Sequence, residues 1–374
     1  MAGIYIHIPF CRKACHYCNF HFATSQSLLP ETIKTICAEA ALRNDYLQED
    51  IATIYFGGGT PSLITMDDIE FILADLRSLF KIQQDAEITL EANPDDITEQ
   101  KLQDWKTLGI NRLSIGVQSF FDEDLQWMNR VHNAAQASES ILLAKQAGFE
   151  NITIDLIYSL PGFTDERWQQ NVETALELRI PHLSCYALTV EPNTALQKMI
   201  AVNKKENVDA EKQGRQFELL MQWMEATGYD HYEISNFSKP AFISKHNSSY
   251  WKGKPYIGLG PSAHSYNGFS RQWNISNNTL YIDSINNKIV PYEEEILTPV
   301  QRLNEYIMTG LRTSEGISLK TLEALSDEAT VFNILKDAQK FMQRNLIVIE
   351  NDSILLNRKG KLFADGIASD LFRL

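Results

Sequence analysis

The sequence predicts an α/β fold, with a parallel sheet covered by helices and a small C-terminal domain. Strand-like and helix-like stretches alternate from residue 4 to about residue 230. After residue 300, three helical patterns precede two short strand-like runs around Asn351-Asp352. Strands that alternate with helices form parallel sheets with right-handed crossovers. The chain therefore predicts one large α/β domain followed by a helical domain with a hairpin.

Short apolar runs predict the strands of the large domain, at 4–8, 51–56, 86–91, 112–117, 152–158 and 182–189. Helical spacing of apolar residues predicts the segments between and after them, at 31–47, 67–80, 98–108, 122–131, 134–147, 165–178 and 206–227. About six such units suit a partial TIM-like barrel better than an eight-fold one. An open doubly wound sheet is the alternative, and periodicity does not separate the two.

Three regions follow from the pattern: a barrel at 1–230, a bridging segment at 231–299 and a C-terminal domain at 300–374. The bridge is irregular, and it is rich in Asn, Ser, Gly and aromatic residues. The pattern of the C-terminal region predicts helices at 301–312, 319–324 and 329–344, strands at 346–350 and 353–357, and a last helix. This order is typical of a winged helix. We expect this domain to pack on the barrel and cover its mouth.

Charge and composition exclude several functions. The formal charge of −14 and the pI near 5.1 argue against nucleic acid as a partner, because phosphate binding needs a surplus of Lys and Arg. The N-terminus lacks the pattern of a signal peptide, and no apolar stretch approaches about 18 residues. We expect a cytoplasmic protein without a transmembrane segment, although peripheral membrane contact stays open. Five cysteines fit a reducing compartment.

Three cysteines within eight residues form a potential multidentate ligand. Cys11, Cys15 and Cys18 lie in a polar loop after the first strand, and soft thiolates select iron-sulfur clusters, zinc or copper(I). A four-iron cluster held by protein alone uses four cysteines, so three would leave one iron open to a small chelating molecule. One alternative is a buried helical face. Another is a zinc site completed by His16 or His21.

The spacing C-x3-C-x2-C, with Tyr17 before the last cysteine, resembles the signature of radical S-adenosylmethionine (SAM) proteins. The segment from Tyr5 to Cys11 resembles the start of two related groups, the oxygen-independent coproporphyrinogen III dehydrogenases and the HemW haem chaperones. The resemblance implies a 4Fe-4S cluster on the three cysteines, SAM on the fourth iron, Tyr5 and Tyr17 beside the cofactors, and an incomplete (β/α)6 radical SAM barrel.

A glycine-rich turn and a strand-end carboxylate also match the family. Gly58, Gly59 and Thr60 follow the second strand and resemble the stretch that contacts the methionine end of SAM. A plain turn is the alternative. Glu91 ends the third strand, at the face where barrel active sites lie. By position it matches the family's ribose-binding glutamate, and a solvated surface carboxylate is the alternative.

Gln118, Arg130 and Asp155 match positions that serve a second SAM molecule in the coproporphyrinogen enzymes. Asp155 lies within an apolar strand, and a buried carboxylate needs partners. Arg130 is a candidate partner. A purely structural buried network would give the same sequence pattern.

Two features separate the related groups. The dehydrogenases have a further cysteine two residues after the third cluster cysteine, where this chain has Phe20. The segment His246-Asn-Ser-Ser-Tyr-Trp251 resembles the HNxxYW motif of the haem chaperones. An imidazole can bind haem iron axially, which makes His246 the candidate ligand. His231 and His264 lack comparable neighbours in the sequence.

These observations favour a haem chaperone of the HemW class that binds a 4Fe-4S cluster, SAM and haem and delivers haem to acceptor proteins. The alternative is an oxygen-independent coproporphyrinogen III dehydrogenase, which would use radical SAM chemistry for oxidative decarboxylation. A zinc-stabilised barrel without redox chemistry is the third interpretation. Because of Phe20, we do not expect coproporphyrinogen dehydrogenase activity.

Overall fold

A six-stranded parallel sheet forms the centre of the protein, as seen in a computed structural model that describes residues 1–374. Its strands pair in chain order: β1 (Ala2–Ile8), β2 (Ile51–Gly58), β3 (Ile82–Ala92), β4 (Arg112–Gln118), β5 (Ile152–Tyr158) and β6 (His182–Ala187). Strict chain order gives an open, incomplete barrel rather than a doubly wound sheet. The predicted fold class is confirmed.

Six helices connect these strands: α1 (Leu29–Leu42), α2 (Met66–Leu79), α3 (Glu99–Thr107), α4 (Asp122–Met128), α5 (Ala134–Gln146) and α6 (Asp165–Glu177). Two more, α7 (Ala195–Ala201) and α8 (Ala210–Ala226), follow β6. Several begin at a capping side chain, such as Thr65, Asn133 and Asp209, whose oxygen accepts a backbone N–H of the first turn. Helix α7 was not predicted, because its seven residues give too short a pattern for periodicity to detect.

The segment predicted as an irregular bridge is an ordered extension of the sheet. It contains β7 (Asp230–Glu233), β8 (Asn236–Ser238), α9 (Lys245–Trp251), β9 (Tyr256–Leu259), β10 (His264–Tyr266), β11 (Ser270–Asn274), α10 (Asn278–Asn286) and β12 (Tyr292–Ile296). The whole sheet has the order β12-β11-β10-β9-β1-β2-β3-β4-β5-β6-β8-β7. The prediction of an irregular bridge was wrong, because strands of three to five residues are too short to show a clear alternation.

Alternate residues of each barrel strand face opposite sides of the sheet. On β1, Ile4, Ile6 and Ile8 are fully buried in the main hydrophobic core. Gly3, Tyr5 and His7 face the other way, into the barrel. Their neighbours on β2 and β3 are Thr53, Tyr55, Glu87 and Thr89, in matching register. The barrel interior is therefore polar, and its polar groups need partners or a ligand.

A buried ion pair connects the first helix to the sheet extension. Arg43 donates to Glu39 at 2.9 Å, to Gln272 Oε1 at 2.8 Å and to Ser265 Oγ at 3.1 Å. Glu39 is fully buried, and it also accepts hydrogen bonds from the Gly260 N–H (2.8 Å) and the hydroxyl of Tyr281 (2.6 Å). The pair thereby joins α1 to the segments around β9, β10, β11 and α10.

The C-terminal domain has its own hydrophobic core. It consists of α11 (Pro299–Leu311), β13 (Ile317–Ser318), α12 (Leu319–Leu325), α13 (Glu328–Gln343), β14 (Ile347–Glu350), β15 (Ser353–Leu356) and α14 (Ala364–Leu371). The β13-β15-β14 sheet beside these helices gives the predicted winged-helix shape. Residues 361–366 line the barrel cavity, so the domain lies over its opening. No helix in the chain is long and apolar enough to cross a membrane.

Removing the buried carboxylate should destabilise the protein strongly. Glu39→Ala leaves the Arg43 guanidinium buried without its counter-charge, and loss of one partner of a buried pair costs about 3 to 5 kcal/mol. Urea denaturation followed by circular dichroism measures this. Asp50→Ala is the control, because it breaks an exposed pair with Lys81 and should cost less than about 1 kcal/mol. Equal losses in the two variants would show that the network does not hold the extension.

Candidate functional site

The cysteine loop leaves the C-terminal end of β1 and is closed at its base. The Cys11 N–H donates to the Ala23 carbonyl at 3.0 Å, and the Ala23 N–H donates to the Pro9 carbonyl at 2.9 Å. All three loop cysteines are free thiols and partly exposed. They are not helical, which removes the buried-helix interpretation. These two backbone hydrogen bonds close the loop, so the three sulfurs lie on one short segment at the barrel mouth.

Most of the predicted site residues line one cavity of about 1090 Å³ at this mouth. They are Cys11, Cys15, Tyr17, Cys18, Gly58, Gly59, Thr60, Glu91, Gln118, Arg130 and Asp155. Tyr5 and His246 are not among its lining residues. Residues from four strands and the cysteine loop thus meet near the C-terminal end of the sheet, where barrel folds place their active sites.

Arg130 places a positive charge beside the thiols. Its Nη1 donates to Cys15 Sγ at 3.4 Å, and its Nη2 donates to Asn93 Oδ1 at 2.6 Å and to the Gly116 carbonyl at 2.8 Å. Burial raises the pKa of Cys11, and it raises the pKa of Cys18 to about 11. A nearby cation favours the thiolate form that binds metal. The donor set fits a cationic metal cluster.

The zinc arrangement is not formed. His16 Nδ1 donates to the Trp127 carbonyl at 2.9 Å, and His21 Nε2 donates to Asn278 Oδ1 at 2.7 Å. No three His, Cys, Asp or Glu side chains converge to hold a single metal ion. A cluster with one iron per thiolate does not need the sulfurs to converge on one point.

Asp155 does not pair with Arg130 as the sequence suggested, because the Arg130 N–H groups go to Asn93, Gly116 and Cys15. Asp155 makes no ion pair. Burial raises its pKa to about 6, against the opposing charges of Arg130 and Arg112. The carboxylate therefore stays in the cavity wall without a salt bridge.

Glu91 is held in a fixed position by the barrel interior. It accepts from the Tyr55 hydroxyl at 2.8 Å and from the Gly58 N–H at 3.2 Å. Burial raises its pKa to about 7, and the negative charge of Asp155 adds to this rise. A solvated surface glutamate would have neither partner, so that alternative does not hold.

The glycines at the end of β2 are required because the chain packs closely there against β1 and the start of the cysteine loop. A Cβ on Gly58 would lie 2.6 Å from the His7 ring, and Gly58 has a positive φ of 108°. A Cβ on Gly59 would lie 2.6 Å from the Phe10 carbonyl oxygen. Both glycines therefore let the turn pack against the start of the cysteine loop, and both still line the cavity.

The HNxxYW segment forms α9, which packs against β1 and β2 near the start of the barrel strands. His246 is 1% exposed, with Nδ1 2.7 Å from Thr53 Oγ1 and Nε2 2.8 Å from the Tyr250 hydroxyl. Its backbone N–H donates to Glu87 at 3.0 Å. Both ring nitrogens are engaged, so haem ligation by His246 does not fit this arrangement. The imidazole instead fastens α9 to the barrel.

A second cavity of about 810 Å³ lies on the other side of the cysteine loop. We call it the outer cleft. It is lined by residues of the cysteine loop, α9, the β9–β11 region and α11. Tyr5, Tyr250 and Trp251 line it, while Asn19 and Phe20 line both cavities. The predicted residue Tyr5 therefore faces this cleft.

The sequence analysis did not identify several residues that hold the site side chains in position. Tyr55 orients Glu91, Asn93 orients Arg130, and Glu87 accepts the N–H groups of Lys245 and His246. The alternation Glu87-x-Thr89-x-Glu91 could have identified β3 as a strand with a polar inner face.

Comparison with known proteins identifies the class of fold. The sequence profile of the radical SAM superfamily matches residues 5–175, and that of the HemN C-terminal domain matches residues 297–363. The solved structure of coproporphyrinogen III oxidase (HemN) from Escherichia coli superposes with a TM-score of 0.86 at 22% identity, over 99% of this chain and 90% of that one. The protein has the radical SAM fold.

Comparison with named relatives identifies the family within this class of fold. Heme chaperone HemW of Bacillus subtilis (strain 168) is 35% identical, and the match covers 98% of each chain. Heme chaperone HemW of Haemophilus influenzae is 32% identical over 96% of this chain and 95% of that one. The HemW of Escherichia coli (strain K12) is 36% identical over 70% of this chain. The chain belongs to the HemW heme chaperone family.

The raised pKa of Glu91 predicts a pH-dependent stability. Below its ordinary pKa of 4.5, Glu91 is protonated in both the folded and unfolded states. As the pH rises towards about 7, the unfolded state ionises first, so the folded state loses stability. Glu91→Gln removes this loss. Its free energy of unfolding relative to wild type should rise by about 1 to 3 kcal/mol between pH 5 and pH 8.

Chemical denaturation of the ligand-free protein at several pH values measures this difference. Glu99→Gln, at the exposed start of α3, is the control for removing one carboxylate from the chain. A flat difference for Glu91→Gln would mean that its carboxylate is solvated.

Proposed function

We propose that this protein is a haem chaperone that binds a 4Fe-4S cluster, SAM and haem and delivers the haem to acceptor proteins. The observation that carries the proposal is the match with the Bacillus subtilis HemW over 98% of both chains. The cavity supports it independently, since it combines three free thiols, a guanidinium and a glycine turn at the barrel mouth.

Cys11, Cys15 and Cys18 would hold the cluster, and SAM would lie in the barrel cavity beside them. With three protein ligands, a bound cluster would leave one iron available for the amino and carboxylate groups of SAM. Gly58, Gly59 and Thr60 present backbone and a hydroxyl next to the cysteine loop. Glu91 presents its carboxylate from the end of β3, where it can accept from the ribose hydroxyls of SAM. Arg130 balances the charge of the thiolates.

The chain supports haem binding better than porphyrinogen oxidation. Phe20, which is 66% exposed, stands where the dehydrogenases have a further cysteine. The Tyr250 and Trp251 side chains line the outer cleft and give flat surfaces of the kind that stack on a porphyrin. Delivery to an acceptor needs a bound haem that can leave, and the outer cleft is open to solvent.

Loss of any of the three loop cysteines should remove the cluster. After anaerobic reconstitution, Cys11→Ser, Cys15→Ser and Cys18→Ser should each lack the visible iron-sulfur absorption, because three thiolates are the only protein ligands. Cys37→Ser is the matched control and should keep it, since Cys37 is buried in α1 away from the cavity. Cys185 is a poorer control because it lines the cavity. Stoichiometric zinc without iron and sulfide would contradict the proposal.

The cluster-loaded protein should bind haem and release it to an acceptor. In a haem titration we expect a shifted Soret band, and added apomyoglobin should then acquire the haem. Trp251→Ala should weaken binding, because burial of an aromatic side chain is lost, while the cluster remains. Reduced protein with SAM should leave coproporphyrinogen III unchanged. Repeated conversion to protoporphyrinogen IX would replace the chaperone proposal with the dehydrogenase.

A further inference from the structure

The outer cleft has a continuous aromatic wall. Tyr250 meets Tyr256 edge to face, with ring centroids 4.6 Å apart, and Tyr256 lies opposite Tyr266 in the β9–β10 pairing with centroids 6.4 Å apart. All three side chains line the cleft. Their rings give the cleft an aromatic lining that can contact a large apolar ligand by faces and edges, and the volume of about 810 Å³ falls in the range of ligand sites.

Three histidines line this cleft, and they differ in the state of their ring nitrogens. Both nitrogens of His7 are engaged, one with the Tyr5 hydroxyl at 3.1 Å and one with the His21 carbonyl at 3.0 Å. His21 uses Nε2 for Asn278. Neither nitrogen of His264 has a hydrogen-bond partner within the protein, and its side chain is exposed. His264 is therefore the cleft imidazole most free to bind an iron.

The strand geometry places His264 on the same side of β10 as Tyr266, one of the aromatic residues of the cleft. His264 and Tyr266 are two residues apart on β10, so they face the same side of the sheet. Across the pairing, Tyr266 lies opposite Arg271, and His264 lies opposite Trp273 at a centroid distance of 6.3 Å. Although His264 is exposed, partial desolvation by its neighbours and the charge of Arg271 lower its pKa, which favours the neutral imidazole that ligates metal.

Two guanidiniums line the same cleft although the whole chain carries a charge of −14. Arg271 donates to Glu305 at 2.7 Å. Arg302 has no acidic partner, and its buried Nε has no hydrogen-bond acceptor. A half-buried guanidinium without a counter-ion is costly unless a ligand supplies the anion. Arg302 is thus placed to meet a carboxylate of a bound molecule.

We propose that the outer cleft is the haem site, with His264 as the axial ligand and Arg302 as the partner of a haem propionate. This rests on the proposed function for the identity of the ligand. The cleft supplies three elements that suit a haem: an aromatic wall, an imidazole with a free nitrogen and a cation for the carboxylates. His246, in the HNxxYW segment, then holds α9 in place, while Tyr250 and Trp251 of the same segment contact the ligand.

Spectroscopy of cluster-loaded, full-length protein tests the assignment. His264→Ala should lose the wild-type Soret position on haem binding, and added imidazole should restore it. His21→Ala is the matched control, since it removes another cleft imidazole, and it should keep the wild-type band. His246→Ala should keep the band position of the haem that it binds, although loosening α9 should lower the affinity. Metal-free protoporphyrin IX should bind wild type and His264→Ala with equal affinity, because it has no iron to ligate.

Arg302→Met provides a second test that does not depend on the imidazole. Loss of a charge-assisted hydrogen bond should weaken haem binding about 10- to 100-fold, and it should not change the affinity for haem dimethyl ester. A wild type that binds no haem would overturn the proposed function itself. Haem binding by wild type with an unchanged band in His264→Ala, or with the band lost in His21→Ala or His246→Ala, would overturn only this assignment.

Discussion

The buried pair of Glu39 and Arg43 holds together the two halves on which both cavities depend. Glu39 and Arg43 lie on and just after α1, but their partners come from β9, β10, β11, α10 and the loops between them. A charge pair taken out of water must be compensated at every polar atom, which specifies a single arrangement of these partners. The pair thus adds side-chain anchors to the backbone pairing that places β9 beside β1.

The two cavities share a wall. The cysteine loop runs between the barrel cavity and the outer cleft, and Asn19 and Phe20 border both. The three predicted cluster cysteines and several cleft residues are therefore parts of one short segment. The two cavities are therefore neighbours in the fold.

The barrel interior shows how the site residues acquire their properties. Glu91 and Asp155 are acidic side chains in a cavity with few counter-charges, and burial raises the pKa of both. Arg130 serves the thiols and the β4 carbonyl rather than Asp155. The cavity thus has its cation beside the sulfurs and its carboxylates deeper in the barrel. Polar ligand groups can replace the water that these carboxylates would otherwise need.

The sequence alone determined the parallel α/β order, the cysteine loop and the strand-end positions of Glu91 and Gln118. These features depend on local spacing, because the alternation within a strand and the C-x3-C-x2-C motif each span only a few residues. Tertiary structure decided the roles of the histidines. His246 finds Thr53 from a strand 193 residues away, while His264 finds no partner. Whether an imidazole is satisfied depends on neighbours distant in the chain, and no local pattern reports them.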